Sequence, residues 1–519
     1  MSSAATTATG METTPLERGL TTVSIMLATI MQALDTTIAN VALPHMQGSM
    51  SATQDQISWV LTSYIVAAAI MTPPTGFLAA RFGRRKLFIC SVAGFTIASM
   101  LCGAATSLPE IVMFRLLQGA FGAGLVPLSQ AVLLDTYPKE QHGSAMAMWG
   151  MGVMLGPILG PTLGGYLTEY YNWRWVFYIN LPVGLMALGG IMAFVPETSK
   201  KPGLPFDWFG FALLSLSIGA LQMMLDRGES QNWFSSFEIL IEMVLSILCI
   251  YMFLVHMFTA KNPFLEPGLF KDRNFAIGLI FIFIVGVVLL ATLALLPPFL
   301  QNLMGYPVVT AGILLAPRGI GSMIAMMLVG RLVGRFDIRF LILFGLGMTA
   351  LSLYQMSCFT TEVSATTLTM TGIIQGVGLG FIFVPLSTIT FATLNPKYRT
   401  EGTAMFSLMR NIGSSIGISV MTTMLTQNTQ VVHSSFAAMM TPFRHAMQAP
   451  WLPDAWDWQT TAGAVGLNNM ITNQAKTIAY LDDFQAMMWI VLAVAPLLLV
   501  MQGPKKKRSD EEQHMEVMD

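Results

Sequence analysis

The chain has 519 residues, 54% of them apolar and only 11% charged, with a net charge of −1. Soluble domains carry about 25% charged residues, so charge cannot cover this surface and most of it must face lipid. No bulk basic field argues for nucleic acid. The four cysteines, Cys90, Cys102, Cys249 and Cys358, lie in apolar runs without zinc, redox or disulfide-framework spacing.

The first residues, Met1 to Gly19, are rich in Ser, Thr and Ala and lack the basic start of a cleavable signal peptide. Fourteen stretches are then long enough to cross about 30 Å of hydrocarbon as helices. They cover 20–41, 57–78, 87–106, 110–134, 144–167, 174–195, 207–225, 238–257, 275–299, 311–332, 340–358, 366–391, 402–426 and 484–502. The expected fold is therefore all-α integral membrane with 14 transmembrane helices. Most of the 27 basic residues fall in loops on the side of the N-terminus, including Arg81 to Lys86, Lys200, Lys201, Lys397 and the tail Lys505 to Arg508. The other side holds Arg174, Arg227, Arg444 and Lys476. By the positive-inside rule both termini are expected to be cytoplasmic.

In span 1, helical periodicity puts Thr29, Gln32, Asp35, Thr36 and Asn40 on one side. Ile30, Leu34, Ile38 and Val41 form an opposite, lipid-compatible side. A mid-span aspartate costs about 2.5–3.5 kcal/mol on an insertion scale and marks a pathway or proton relay. Asp35 is thus the candidate proton-coupling acid, and Gln32, Thr36 and Asn40, with Gln118 from span 4 and Arg410, are candidate substrate-pathway groups. A structural Asp35, hydrogen-bonded between helices, is the alternative.

Between spans 2 and 3 runs Gly76-Phe-Leu-Ala-Ala-Arg-Phe-Gly-Arg-Arg85. Its glycines permit close approach of helix ends, which makes Gly76, Arg81, Gly83, Arg84 and Arg85 a candidate inner latch. In span 4, Arg115, Gln118, Gly119, Gly122 and Ser129 share a face that should look into a helix bundle. Span 5 spaces Gly152, Gly156, Gly160 and Gly164 as a smooth stripe, with Pro157, Pro161 and Gly165 beside it. Such stripes let helices pack backbone to backbone, and each proline removes a ladder hydrogen bond. Trp173 to Gly184 reads as an interfacial anchor, and Glu238 and Glu242 as headgroup-level residues. Arg318 and Arg410 are possible pathway charges, with interfacial snorkelling as the alternative. The connection 427–483, with Trp451, Trp456 and Trp458, reads as a long outer loop.

The halves repeat. Gly76 to Arg85 returns as Gly330-Arg-Leu-Val-Gly-Arg-Phe-Asp-Ile-Arg339, Gln118-Gly119 as Gln375-Gly376, and Val126-Pro-Leu-Ser129 as Val384-Pro-Leu-Ser387. Parallel repeats build transporters that rock two bundles about a central site. The expected organisation is a six-helix bundle over 1–195, an inserted pair over 196–262, and a second bundle over 263–519.

These motifs resemble the major facilitator superfamily, and Leu34-Asp-Thr-Thr-Ile-Ala-Asn40 with the span 5 pattern is similar to its fourteen-helix drug:proton antiporter branch, the EmrB/QacA-like group. Ala80 stands where the family's inner-loop signature has an acidic residue, so a charged latch at that position is missing. The resemblance implies a proton-driven antiporter exporting hydrophobic or amphipathic small molecules, with Asp35 and Arg115 in proton coupling and the proton gradient as energy source. It also implies a bacterial inner-membrane protein that works with a periplasmic membrane-fusion adaptor and an outer-membrane channel. A dedicated exporter of one endogenous metabolite or siderophore is an alternative within the same fold, and a membrane receptor or enzyme an alternative outside it. No Walker loop, HExxH or Cys/His cluster is present in the sequence, so neither cofactor nor metal is expected.

Overall fold

The computed structural model describes residues 14–198, 200, 203, 205–441, 456 and 459–501. Lys201, Arg444, Trp451, Trp458 and the basic tail Lys505 to Arg508 lie outside the described residues, as does most of the N-terminal segment.

Seventeen α-helices follow one another among the described residues. The first half comprises α1 Pro15–Ser49, α2 Gln54–Met71, α3 Thr75–Phe82, α4 Arg84–Ala104, α5 Leu108–Gly122, α6 Leu125–Thr136, α7 His142–Tyr170, α8 Trp175–Tyr178 and α9 Asn180–Phe194. A pair follows, α10 Trp208–Arg227 and α11 Phe237–Thr259. The second half comprises α12 Arg273–Pro298, α13 Val308–Leu332, α14 Ile338–Ser357, α15 Ala365–Ala392, α16 Arg399–Met439 and α17 Thr461–Val494. Within the first half α1 packs on α7 and α9, while α5 packs on α2 and α4. The second half repeats the scheme, with α12 on α16 and α15 on α13 and α14. The pair α10–α11 is pinned to itself by reciprocal Ser217–Ser246 hydroxyl-to-carbonyl bonds of 3.0 Å.

Among the described residues, twelve helices are long and apolar enough to cross a membrane, thirteen when the bent pair α2–α3 counts as one span. Helix α16, which contains the expected span 402–426, falls outside this set because it is rich in Ser, Thr, Gln and Asn. Its polar residues face protein in part: Thr403, Ser407, Ser414 and Ser419 are buried.

Three span limits differ from expectation. The second span is not a single helix over 57–78; it breaks between Met71 and Thr75 and turns by 56°. Pro73 and Pro74 cause this, since neither can donate to the helical ladder and each disfavours helical geometry before it. The fourth is interrupted at Ala123-Gly124, one turn before Pro127, which has no N–H to donate to the carbonyl of Ala123 and whose ring crowds it. The outer connection 427–483 is not a loop for most of its length. The helix α16 runs to Met439, and α17 begins at Thr461, where the Thr460 hydroxyl accepts from the Gly463 N–H at 3.0 Å. Helices that extend past the lipid need no apolar surface, so apolarity alone ended both spans too early.

Candidate functional site

Glycine spacing decides where α1 sits. A Cβ on Gly156 would lie 2.5 Å from the Ala33 carbonyl, one on Gly164 would lie 2.9 Å from Ile38 Cγ1, and one on Gly160 would strike the Thr37 hydroxyl. The Thr37 hydroxyl itself donates to Gly156 O at 3.0 Å. The stripe therefore holds Ala33, Thr37 and Ile38 of α1 against α7, so the side of α1 expected to face lipid is largely a protein contact. Met26 and Ile30 cover Gly152 in the same seam. Gly165 stands apart, with open space where its Cβ would be. Both Pro157 and Pro161 lie inside α7, which continues through them.

Turning α1 onto this stripe drives Asp35 into the first bundle, where it is 1% exposed. Arg115 Nη1 donates to Asp35 Oδ2 at 2.7 Å. Gln118 Nε2 and Asn180 Nδ2 donate to Oδ1 at 2.8 and 3.1 Å. Arg115 also donates through Nε to Val60 O at 3.1 Å and through Nη1 to Gln118 Oε1 at 2.8 Å, and its guanidinium stacks over Tyr64 at 4.3 Å. Ser99 completes the cage, accepting from Asn180 and donating to Phe177 O. Three N–H donors thus converge on the two carboxyl oxygens of Asp35. A buried ion pair is costly unless further hydrogen bonds support it, and Val60 O, Gln118 and Asn180 do so here.

Asp35 therefore does not share a surface with Thr36 and Asn40. Those two are exposed on the face of α1 that neither α7 nor the Asp35 cage covers, and Gln32 is half-buried. An aspartate and residues one or five positions along a helix stand far apart in angle, which the broad polar side drawn from periodicity concealed. Asn180 was missed because its segment read as an interfacial anchor; an asparagine amid Phe177 to Pro182 was the available signal. Glu242 is buried against protein, whereas Glu238 is exposed and paired with Arg227.

The two halves meet at the end carrying the basic loops. Gly76 admits the backbone of Glu401, and Gly143 admits Val333. Arg84, nearly buried, pairs with Asp135, which also pairs with Arg399 from the second half. Arg84 Nη2 reaches Thr400 Oγ1 at 3.2 Å. Asp135 at the end of α6 thus supplies an acid between the halves although Ala80 supplies none. Nothing in the sequence reading singled out Asp135. Gly83 adopts φ +94°, a backbone only glycine takes readily, which lets α4 start directly after α3. Arg85 donates to Met192 O, and Arg81 is exposed beside Phe82. Farther along, Trp149 stacks on Phe383 across the halves with ring centroids 5.7 Å apart.

In the second half Arg318 is buried, with Nη2 only 3.4 Å from Leu289 O and Nη1 without a partner among the described residues. Arg410 is half-buried, its carbonyl lying where a Cβ on Gly286 would be. Neither is joined to the Asp35 cage.

Replacing Asp135 by asparagine should weaken the closed arrangement at the basic end, because Arg84 and Arg399 would face each other without an anion. The expected result is faster labelling of a cysteine introduced at Ala147, with insertion unchanged; unaltered labelling would show that glycine packing alone holds this end shut.

Comparison with known proteins agrees with this architecture. The family model of the Major Facilitator Superfamily matches residues 25–418. The chain is 37% identical over 489 residues to the multidrug export protein EmrB of Escherichia coli K12, covering 93% of this chain and 95% of that one. It is 36% identical to the fatty acid resistance protein FarB of Neisseria gonorrhoeae, covering 93% and 96%. Among solved structures it resembles the human organic anion transporter MFSD10, with TM-score 0.60, 14% identity and coverage of 92% and 100%. A bacterial homolog of the human lysosomal transporter Spinster follows at TM-score 0.54, 16% identity and coverage of 94% and 98%. With the family model spanning most of its length and EmrB aligned nearly end to end, the chain belongs to the major facilitator superfamily as an EmrB-like member.

Proposed function

We propose that this protein is a proton-driven antiporter exporting hydrophobic or amphipathic small molecules. The observation that carries the reading is the Asp35–Arg115 pair, closed off inside one bundle of a two-bundle transporter. Export of varied compounds is supported by the names of its relatives, multidrug export protein EmrB above all. The proton cycle follows from chemistry. Arg115 at 2.7 Å supplies the counter-charge that a buried carboxylate requires. A rearrangement that moves Arg115 away leaves a carboxylate in low dielectric, which takes up a proton rather than stay charged and unpaired. Substrate occupies the space between bundles, against the exposed polar face of Thr36 and Asn40, with Gln32 beside them and Arg410 on the far wall. The test is reconstitution: in proteoliposomes an imposed pH gradient should drive uptake or efflux of an amphipathic dye, with matched proton movement. Dye transport that ignores the gradient would end the proton reading.

The protein sits in a bacterial inner membrane, as the family resemblance implies, and the basic-residue asymmetry supports both termini being cytoplasmic. A reporter after Lys201 or Lys397 should read cytoplasmic and one near Gly466 external; an external signal at Lys201 would overturn the topology. Its partners are a periplasmic membrane-fusion adaptor and an outer-membrane channel. The helical extensions of α16 and α17 favour this, since they carry Trp456 beyond the lipid on the side where an adaptor would stand. A photo-cross-linker replacing Trp456 should capture the adaptor, and a loop deletion that spares adaptor-dependent resistance would refute the contact.

A further inference from the structure

The second bundle has no counterpart of the Asp35 pair. The offset that takes Gln118 to Gln375 takes Asp35 to Thr292 and Arg115 to Gly372, so both charges are gone. What remains is a weak polar track: Gln375 Nε2 lies 3.5 Å from the Thr292 hydroxyl, which in turn donates to Met487 Sδ at 3.7 Å. Met487, Val491, Val494 and Leu498 are buried with the same spacing as Asn180, Gly184, Ala187 and Ile191. Met487 on α17 thus lies beside Thr292, the position that matches Asp35 in the repeat.

One turn before Met487, about 6 Å along the axis toward the end away from the basic loops, lies Asp483. It is 0% exposed, and neither carboxyl oxygen has a hydrogen-bond partner among the described residues. Tyr480 and Phe484 flank it, each packed against Phe299. Asp482 is the charged group that acts on it, and Tyr480 is the other titratable neighbour. On the helices packed against α17, Arg273, Arg339, Tyr354, Arg399, Glu401, Arg410 and His433 do not enter its electrostatic surroundings. An ionised carboxylate without cation or donor in such a site costs many kcal/mol, and a neutral acid costs far less. The apolar run of α17 starts at Phe484, so Asp483 also lies at the outer margin of the span, inside the bundle wall.

We propose that Asp483 is a second proton-binding carboxylate of this transporter, serving the C-terminal bundle near the end away from the basic loops. It carries its proton in the arrangement described here. The two acids sit in opposite surroundings in one conformation, Asp35 against the Arg115 guanidinium and Asp483 without a partner among the described residues. Loading at one bundle and release at the other then become separate events. This rests on the proton-antiport reading above.

Infrared difference spectroscopy of the purified full chain tests it without requiring transport. At neutral pH the wild type should show a protonated-carboxyl carbonyl stretch that shifts in deuterium oxide. Asp483→Asn should lose that band, Asp482→Asn should keep it, and Asp483→Glu should retain it at a shifted position, which guards against misfolding of the asparagine variant. In proteoliposomes Asp483→Asn should also lower the response of dye export to membrane potential several-fold. A band unchanged in Asp483→Asn would overturn the assignment even if coupled export is intact. A band that disappears as expected, in a protein whose export ignores the pH gradient, would leave the proton site standing and remove the antiport reading instead.

Discussion

Gly156→Leu should abolish export while leaving insertion and abundance in the membrane near wild-type. A leucine cannot be accommodated by a rotamer change, because the atoms that a Cβ would meet are the carbonyl carbon and oxygen of Ala33 at 2.5 Å, which are backbone. The seam between α1 and α7 must open, and Thr37 loses its 3.0 Å bond to Gly156 O. Overpacking of this kind costs about 1–3 kcal/mol. The larger damage is mechanical. The same helix carries Asp35 on its other side, so an outward shift of α1 stretches the contacts to Arg115, Gln118 and Asn180 together. Leucine makes the span more apolar, so translocation has no reason to fail. Gly165→Leu is the control within the same motif: its Cβ meets open space, and export should persist. Efflux of a fluorescent dye from cells, normalised to membrane protein, reads both. Equal loss in the two variants would mean that α7 is sensitive throughout and that the seam with α1 has no special part.

The contrast shows what was legible in the sequence. Glycines four apart announce a close helix contact, because only a missing side chain lets backbones meet, and the partner of that contact needed three dimensions. The repeat was readable for the same reason: Gly76 and Gly330, or Gln118 and Gln375, recur where two bundles need the same close approaches. Apolarity found the lipid-facing helices and the 402–426 part of α16, but not the polar extension of that helix to Met439. It also ended α17 at Asp483, reading a buried acid as the edge of a loop. Asp135 was invisible for a different reason. It lies on a helix end beside the basic loop but pairs with Arg399, far along the chain, and no local pattern encodes such a meeting. Asn180 fell inside a segment whose aromatic residues, Trp173, Trp175 and Tyr178, dominated its reading.

Asp35→Asn should remove proton-coupled export altogether. In the wild type, Oδ1 accepts from Gln118 and Asn180 and Oδ2 accepts from Arg115. Asparagine keeps one oxygen for the first two, but its amide nitrogen then points donors at the Arg115 guanidinium. Breaking a buried pair by removing one partner costs about 3–5 kcal/mol, because the remaining charge is left without compensation. Some loss of thermal stability is therefore expected, and by itself it would not identify a proton carrier. The distinguishing readout is pH. An antiporter whose essential acid is Asp35 alternates between a carboxylate held by Arg115 and a protonated acid freed from it, so substrate addition to purified wild type should release protons. Asp35→Asn should release none from this bundle, and its remaining dye movement should be downhill and indifferent to an imposed gradient. Asp35→Glu restores an ionisable group on a longer stem. It should recover proton release at an altered pH while binding Arg115 in a strained position, giving slow but still coupled export. That rescue is what a purely structural aspartate would not show, since glutamate fits the Gln118–Asn180 cage no better than asparagine does. Coupled efflux at the wild-type rate in Asp35→Asn would remove Asp35 as the carrier and leave the buried pair as a brace between α1 and α5.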